Sequence, residues 1–206
     1  MTCSAIILNG GGARRMAGVD KAWLEVAGQP IVLRQLEVLR QRFTDLAMVR
    51  GERQAKPQSM DLPIDLPMLG DRVGGLGPLD GIASGLAWCA HDWLLVVAGD
   101  MPFVNLEAID TLLGQRRSDI DIVAANIDSR AQPLLALYNR RILPVLDQEL
   151  ANRRLRASAF LCKPPAGVRV AWLREDDFSQ EALRAFDNLN TPEDLKELVP
   201  IEPQIE

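Results

Sequence analysis

The spacing of apolar residues along this chain alternates between runs and helical intervals. Ser4–Leu8 is a short apolar run that stops in Asn9-Gly10-Gly11-Gly12, which predicts a buried first strand followed by a loop. Pro30 is suited to open a helix at its first position, and Val32, Leu36, Leu39 and Phe43 then recur along one helical face. Leu46–Val49 predicts a second strand. Gln54–Pro67 holds three prolines and predicts loop or a short helix, with Pro67–Leu69 the next candidate strand. From Pro78 to His91 the pattern is helical again, with Leu79, Ile82, Leu86 and Ala87 on one face. Trp93–Ala98 is apolar at every position. Strands of that kind are usually covered on both faces, which points to a parallel sheet.

The second half continues the alternation. Asn105 is suited to cap a helix through Arg117, with Leu106, Ile109, Leu112 and Leu113 apolar. Ile120–Ala125 and Leu134–Tyr138 flank Ile127-Asp128-Ser129-Arg130-Ala131, which predicts a hairpin or a short excursion. Helices are predicted around Val145–Asn152 and Leu155–Leu161, then a strand at Val168–Leu173 and a final helix. Thr191-Pro192-Glu193-Asp194 combines a cap, a proline at the first helical position and a capping-box acid. The tail after Pro200 is expected to fray. There is no internal repeat and no low-complexity linker. The pattern predicts one three-layer, Rossmann-like α/β domain over 1–200 with a mostly parallel central sheet, and a short tail over 201–206.

Composition narrows the chemistry. The 206 residues suit one domain, and 48% hydrophobic with 25% charged residues excludes a disordered chain. Lys and Arg total 23 against 28 Asp and Glu, a net charge of −5, which argues against sequence-independent binding to nucleic acid. No run approaches the ~20 apolar residues that span a membrane. The first residues lack the basic region of a signal peptide. Cys3, Cys89 and Cys162 are odd in number and form no CxxC, which fits a reducing cytoplasm. His91 is the only histidine, so a His-rich zinc site is excluded, and any Ser-His-Asp nucleophile would have to use it. A cation at a helix C-terminus accounts for His91 more simply. Chemistry therefore falls to carboxylates, Lys, Arg and backbone.

Ligands of such sheets bind at the carboxyl ends of the strands, where two loops stand out. The first runs from Leu8 to Lys21. Three glycines let its backbone approach a ligand, and Arg14, Arg15 and Lys21 add positive charge. Arg15 stands where a dinucleotide GxGxxG needs glycine, and there is no Gly-Lys-Ser/Thr of a P-loop. A glycine-rich turn with solvated basic side chains is the plain alternative; three basic residues in one loop favour an anion cradle. The second loop, Gly99-Asp100-Met101-Pro102, ends the apolar strand. An acid there is placed to hold Mg²⁺ beside a triphosphate, although aspartates are also common in turns.

At Leu8, Gly10, Gly11, Arg15, Met16, Gly18, Asp20 and Lys21 the first loop resembles the LxGGxxxRMGGxDK signature of the molybdenum cofactor guanylyltransferases, within the nucleotidyltransferase superfamily. Gly77-Pro78-Leu79-Asp80-Gly81 is similar to that family's GPLxG. Gly99-Asp100-Met101-Pro102, Gln132-Pro133-Leu134, Arg153-Arg154-Leu155 and Asn188-Leu189-Asn190-Thr191-Pro192-Glu193 follow in the same order. The resemblance covers nearly the whole chain, and the ordered series is far more specific than any one motif.

The resemblance implies a nucleotidyltransferase-type fold and a set of roles. Leu8, Asn9 and Gly10 would contact the nucleotide through the backbone, within a nucleotide site that includes Gly11, Gly12, Gly77 and Pro78. Lys21 would bind the phosphates, with Arg15 adding charge. Asp71 would contact the nucleotide and Asp100 would hold Mg²⁺. Arg154, Asn188 and Asn190 would line the pterin side. Two departures matter. Asn9 stands where the family usually has Ala, so its wider side chain would crowd the base or add a hydrogen bond. Arg50 stands where it usually has Asn, and is able to pair with phosphate instead.

The implied reaction joins the terminal phosphate of molybdopterin, or of the molybdenum cofactor, to the α-phosphorus of GTP, and pyrophosphate leaves. A phosphate monoester with a second pKa of ~6 is already ionised at neutral pH, so no general base is needed. The implied partners are GTP, molybdopterin or molybdenum cofactor, and the proteins that deliver molybdopterin and mature molybdoenzymes. Three alternatives stay open: a cytidylyltransferase for the same cofactor, another nucleotidyltransferase, or a non-catalytic carrier of the cofactor. Gly10-Gly11 and Asp20-Lys21 favour the guanylyl branch over cytidylyl members, which tend to carry Ala-Gly and Pro-Lys. A carrier would be expected to have lost Lys21 or Asp100, and both are present. Arg153, Arg154 and Arg156 would otherwise be a solvated helix face. Asn188 and Asn190 alternate along an extended segment and so share a face. The four tryptophans are expected in the core.

Overall fold

The computed structural model describes residues 3–9, 21–50, 66–74 and 77–189. Gly10, Gly11, Gly12, Arg14, Arg15, Asp20, Asn190 and the helix expected at Thr191 lie outside the described residues. Nine strands are described: β1 (Cys3–Asn9), β2 (Glu25–Val26), β3 (Gln29–Pro30), β4 (Leu46–Arg50), β5 (Met68–Gly70), β6 (Trp93–Ala98), β7 (Ile122–Ile127), β8 (Arg130–Asn139) and β9 (Val170–Arg174). The helices are α1 (Ile31–Leu39), α2 (Pro78–Trp88), α3 (Leu106–Gly114), α4 (Leu143–Ala151), α5 (Ala157–Cys162) and α6 (Gln180–Leu183). Seven strands form one sheet in the order β5-β4-β1-β6-β8-β7-β9. Pairs β5–β4, β4–β1, β1–β6 and β7–β9 are parallel, while β8 runs against both β6 and β7. The expected mostly parallel α/β sheet is therefore what the chain forms.

Alternation along the strands builds the three layers. In β1, Ala5 and Ile7 face one way, onto Val32, Leu36 and Leu39 of α1; Ile6 and Leu8 face the other, onto Leu79, Ile82 and Leu86 of α2. Helices α3 and α6 share the first layer, and α4 and α5 the second. Helix α2 lies especially close to the sheet. A Cβ at Gly81, the last residue of the GPLxG-like motif, would sit 2.7 Å from Leu8 Cδ2, so only glycine fits there without a shift.

Several local expectations are corrected. Pro30 is the cap residue before α1 and ends β3, so it precedes the helix. The β2–β3 hairpin was not legible, because two-residue strands carry no period; its turn, Ala27-Gly28, has φ of 52° and 77°. The 127–131 segment resolves as a hairpin, with Asp128 and Ser129 both at positive φ. Helix α2 ends at Trp88, so His91 is not at a helix C-terminus. Its Nδ1 lies 3.0 Å from Ser4 Oγ and 3.6 Å from Asp45 Oδ2, and Ser4 donates to Asp45. Both partners meet the same ring nitrogen, and Ser4 is fully buried at the amino end of β1. The three form a polar tie between loops, since a nucleophilic relay needs its acid and serine on opposite ring nitrogens. Trp93 is in the core, but Trp172 is 40% exposed on the edge strand β9. Among the described residues no helix is long and apolar enough to cross a membrane.

Candidate active site at the carboxyl edge of the sheet

Parallel pairing brings residues far apart in sequence to one edge. Asn9 at the end of β1 pairs in register with Arg50 at the end of β4, and Arg50 pairs with Gly70 at the end of β5, just before Asp71. On the other side of β1, Leu8 pairs with Ala98, after which β6 runs into Gly99 and Asp100. The sequence-predicted residues Leu8, Asn9, Asp71 and Asp100 therefore lie along a single edge, with Arg50 among them.

Lys21 opens a short 3-10 turn, Lys21–Trp23, and its Nζ lies 3.8 Å from Asp100 Oδ2. The two side chains are only 11% and 25% exposed, so their attraction is less screened than that of a surface pair. Burial pushes the Asp100 carboxyl above its ordinary range, and the Lys21 ammonium draws it part of the way back. A desolvated carboxylate beside a cation gains from a further positive charge, and the ammonium gains from an anion. This arrangement suits a cation and a phosphate together. Among the described residues, no group of three or more His, Cys, Asp or Glu gathers into a metal cage. Mg²⁺ rarely uses such cages; it takes one or two carboxylates and completes its shell with water and substrate phosphate oxygens. The hard, half-open oxygen donors of Asp100 fit that requirement.

Two buried polar side chains hold this edge in shape, and neither was assigned a role from sequence. Gln35 on α1 donates through Nε2 to Ala98 O at 2.7 Å and Met101 O at 2.9 Å, bridging the two ends of the Asp100 turn. Its signal was a polar residue within the apolar stripe of α1. Asp80, in the first turn of α2, accepts from the backbone N–H groups of Arg72, Val73 and Gly74. No sequence signal separates that role from an ordinary acid at a helix N-terminus.

The residues expected on the pterin side arrive from two layers. Leu189 N donates to Asp100 O at 2.9 Å, and Leu189 packs with Val26 and Ile31 in a small third cluster. Asn188 is thereby seated beside the Asp100 turn, with Nδ2 donating to Phe186 O at 3.4 Å. Arg184 lies 4.4 Å over the ring of Phe103 and braces the same corner. Arg154 comes from the α2 side: a Cβ at Gly77 would be 3.8 Å from Leu155 O, so the Arg153–Leu155 turn abuts the start of α2. Its guanidinium bonds Glu149 at 3.1 Å, and the side chain is 69% exposed. No described contact joins Arg154 to Asn188. Gln132, in the Gln-Pro-Leu motif, sits where β8 bulges away from β7; the buried Tyr138 hydroxyl donates to Pro133 O at 2.8 Å and holds that bulge.

Known proteins share this arrangement of elements. A family model for the MobA-like NTP transferase domain matches residues 5–162. The molybdenum cofactor guanylyltransferase of Serratia proteamaculans is 34% identical over 191 residues, spanning 93% of this chain and 91% of its own. Among solved structures, molybdopterin-guanine dinucleotide biosynthesis protein A from Archaeoglobus fulgidus is similar with a TM-score of 0.76 and 24% identity, covering 95% of this chain and 96% of that one. A CMP:2-keto-3-deoxy-manno-octonic acid synthetase complexed with CTP reaches a TM-score of 0.67 at 15% identity, over 96% of this chain and 97% of that one, a likeness of fold alone. The matched span runs from β1 through α5 and takes in Lys21, Asp71, Asp80, Asp100 and Arg154: the chain belongs to the MobA-like NTP transferase family.

Proposed function

We propose that this protein transfers GMP from GTP to the terminal phosphate of molybdopterin or the molybdenum cofactor, forming the guanine dinucleotide cofactor and pyrophosphate. The observation that carries the reading is the Lys21–Asp100 pair at the carboxyl edge, in a chain whose relatives over nearly their whole length are named molybdenum cofactor guanylyltransferases. Asp100 would hold Mg²⁺, which when bound neutralises charge on the phosphates. Lys21, beside Asp100, would bind the phosphates. Asn9, Arg50 and Asp71 line the nucleotide side of the edge. Asn188 and Arg154, with Asn190, are assigned to the second substrate, and Arg15 to the phosphates.

The new bond joins a phosphate oxygen of the acceptor to the α-phosphorus, and the bond to the pyrophosphate oxygen breaks. The acceptor oxygen is already ionised, so the protein's share is alignment and charge stabilisation. The chemistry therefore makes no demand on a histidine, and the one histidine of the chain lies at the opposite edge of the sheet. All three cysteines are free thiols, in keeping with a cytoplasmic setting.

Binding of GTP, CTP, ATP and UTP with Mg²⁺, measured by calorimetry, tests the base assignment. GTP is expected to bind at least ~10-fold more tightly than CTP, which needs only ~1.4 kcal/mol of differential binding. Equal or tighter CTP binding would replace the guanylyl assignment with a cytidylyl one.

Arg154→Ala tests the second-substrate side. A charge-assisted bond to phosphate is worth roughly 1.5–3 kcal/mol, so apparent molybdopterin affinity should fall by about one to two decades while GTP affinity holds. Lower GTP affinity with unchanged molybdopterin dependence would move Arg154 to the nucleotide side, beside Gly77. No effect on either would leave it as a solvated partner of Glu149.

A further inference from the structure

The Asp80 residue is fully buried, with 0% exposure, and a carboxylate removed from water must find donors or a counter-charge. It finds donors. Oδ1 accepts from Arg72 N at 3.1 Å, Oδ2 accepts from Gly74 N at 3.0 Å, and Val73 N lies 3.3 and 3.2 Å from the two oxygens. Three successive N–H groups converging on one point make the kind of backbone nest that commonly receives an anion. Gly74, at φ 81°, supplies the left-handed turn that closes it. Here the protein fills its own nest, so this loop is not built to take a substrate phosphate. The Arg72 guanidinium pairs with Asp147 on α4, which fastens the loop from a second side.

The filled nest has a chemical consequence for the outer side of the loop. Each peptide unit is planar and trans, so a carbonyl points away from the N–H of the next residue. With the N–H groups of Arg72, Val73 and Gly74 turned inward to Asp80, the carbonyls of Asp71, Arg72 and Val73 turn away from it. Together these carbonyls make a rim of acceptors. Asp71 follows β5, three strands across from β6, and at ~4.8 Å per strand that is ~14 Å from the strand that leads into Asp100. The rim therefore lies toward the nucleoside end of a nucleotide whose phosphates sit at Asp100. Guanine offers adjacent ring N–H and amino donors on one edge, whereas cytosine offers a single amino group beside acceptors.

We propose that Asp80 is a positioning residue for base selection: by holding the 71–74 loop with its N–H groups inward, it presents an acceptor rim that favours guanine. This rests on the guanylyl reading, in which the nucleotide lies along this edge.

The test compares wild type, Asp80→Asn and Asp80→Ala. Two measurements are made on each: amide hydrogen exchange at residues 72–74, and steady-state transfer with GTP and CTP. An amide side chain has one acceptor oxygen, so Asp80→Asn should loosen the loop partly and Asp80→Ala fully, with exchange in β1 and β6 unchanged. The GTP preference over CTP should fall about tenfold in Asp80→Ala, through a higher KM for GTP more than a lower kcat, with Asp80→Asn between. A merely structural aspartate would lower activity with both nucleotides alike. Faster exchange at 72–74 with an unchanged GTP:CTP ratio overturns the proposal, and so does unchanged exchange. If Asp80→Ala does not fold, the same two readouts on Asp80→Asn decide it. A wild-type protein that does not favour GTP would instead overturn the guanylyl reading, a result visible before any variant is made.

Discussion

Replacing Asp100 with asparagine is expected to reduce guanylyl transfer by ~10²-fold or more, equivalent to at least ~2.7 kcal/mol of lost transition-state stabilisation. The substitution keeps the size of the side chain and one acceptor oxygen but removes the charge that would face the metal-bound phosphates. Its effect on the fold runs the other way. Burial raises the Asp100 pKa in the folded protein even with Lys21 drawing it down, so the charged form is disfavoured there on balance. Because the folded value lies above the unfolded one, the contribution of this group to stability is fully present below the unfolded pKa. It is lost as pH rises through the raised value. At neutral pH the wild type therefore carries a destabilising charge that Asp100→Asn lacks. A thermal melt should show the variant at least as stable as wild type. The strand before it, Trp93–Ala98, is buried throughout and takes no support from the carboxylate. Near-native turnover at saturating Mg²⁺ would show that the metal is held elsewhere, with Asp71 next to test. A large drop in Tm would refute the account of the charge.

Lys21→Ala should weaken GTP binding by about one to two decades, the loss of a charge-assisted hydrogen bond to phosphate worth roughly 1.5–3 kcal/mol, and should lower turnover as well. The same change has a second, independent signature. The Lys21 ammonium is what lowers the Asp100 pKa against burial. Without it the Asp100 pKa rises further, so the acid limb of the rate profile should move to higher pH. Asp100→Asn removes the titrating group, and the double variant should lose that pH shift. The two losses should also fall short of additive, as expected for groups in direct contact. Unchanged GTP affinity in Lys21→Ala would place the triphosphate away from this pair.

The elements were legible where one physical cause dominated. Trp93–Ala98 is strand β6 with the same bounds, since a wholly apolar run can only be covered on both sides. Asn105 caps α3 through a bond from Ala108 N at 3.0 Å, as an isolated cap residue should. Expectations shifted or failed where the outcome depended on neighbours distant in sequence. The strand expected at Pro67–Leu69 forms as β5, and only its bounds shift by one residue, to Met68–Gly70, because pairing with Met48, Val49 and Arg50 of β4 sets them. Trp172 looked like core, but β9 lies at the edge of the sheet.

The sequence by itself determined the α/β class, the apolar strands, the nucleotidyltransferase resemblance and the candidacy of Lys21, Asp71 and Asp100. These rest on local patterns: periodicity, a run of residues, a motif in order. Tertiary structure alone decided which polar residues hold the edge. Gln35 bonds carbonyls 63 and 66 residues away, and Asp80 reaches back to the amides of the preceding loop. Hydrogen bonds are short and directional, so a donor and acceptor count as partners only once the chain has folded them to within ~3 Å. Its place within the apolar stripe of α1 marks Gln35 as buried, but nothing in the order of residues names the carbonyls it bonds. The same holds for Arg154 and Asn188, which neighbouring motifs placed together and which the fold delivers from opposite faces of the sheet, because packing of α2 against α5's approach and of Leu189 against α1 sets where each one lies.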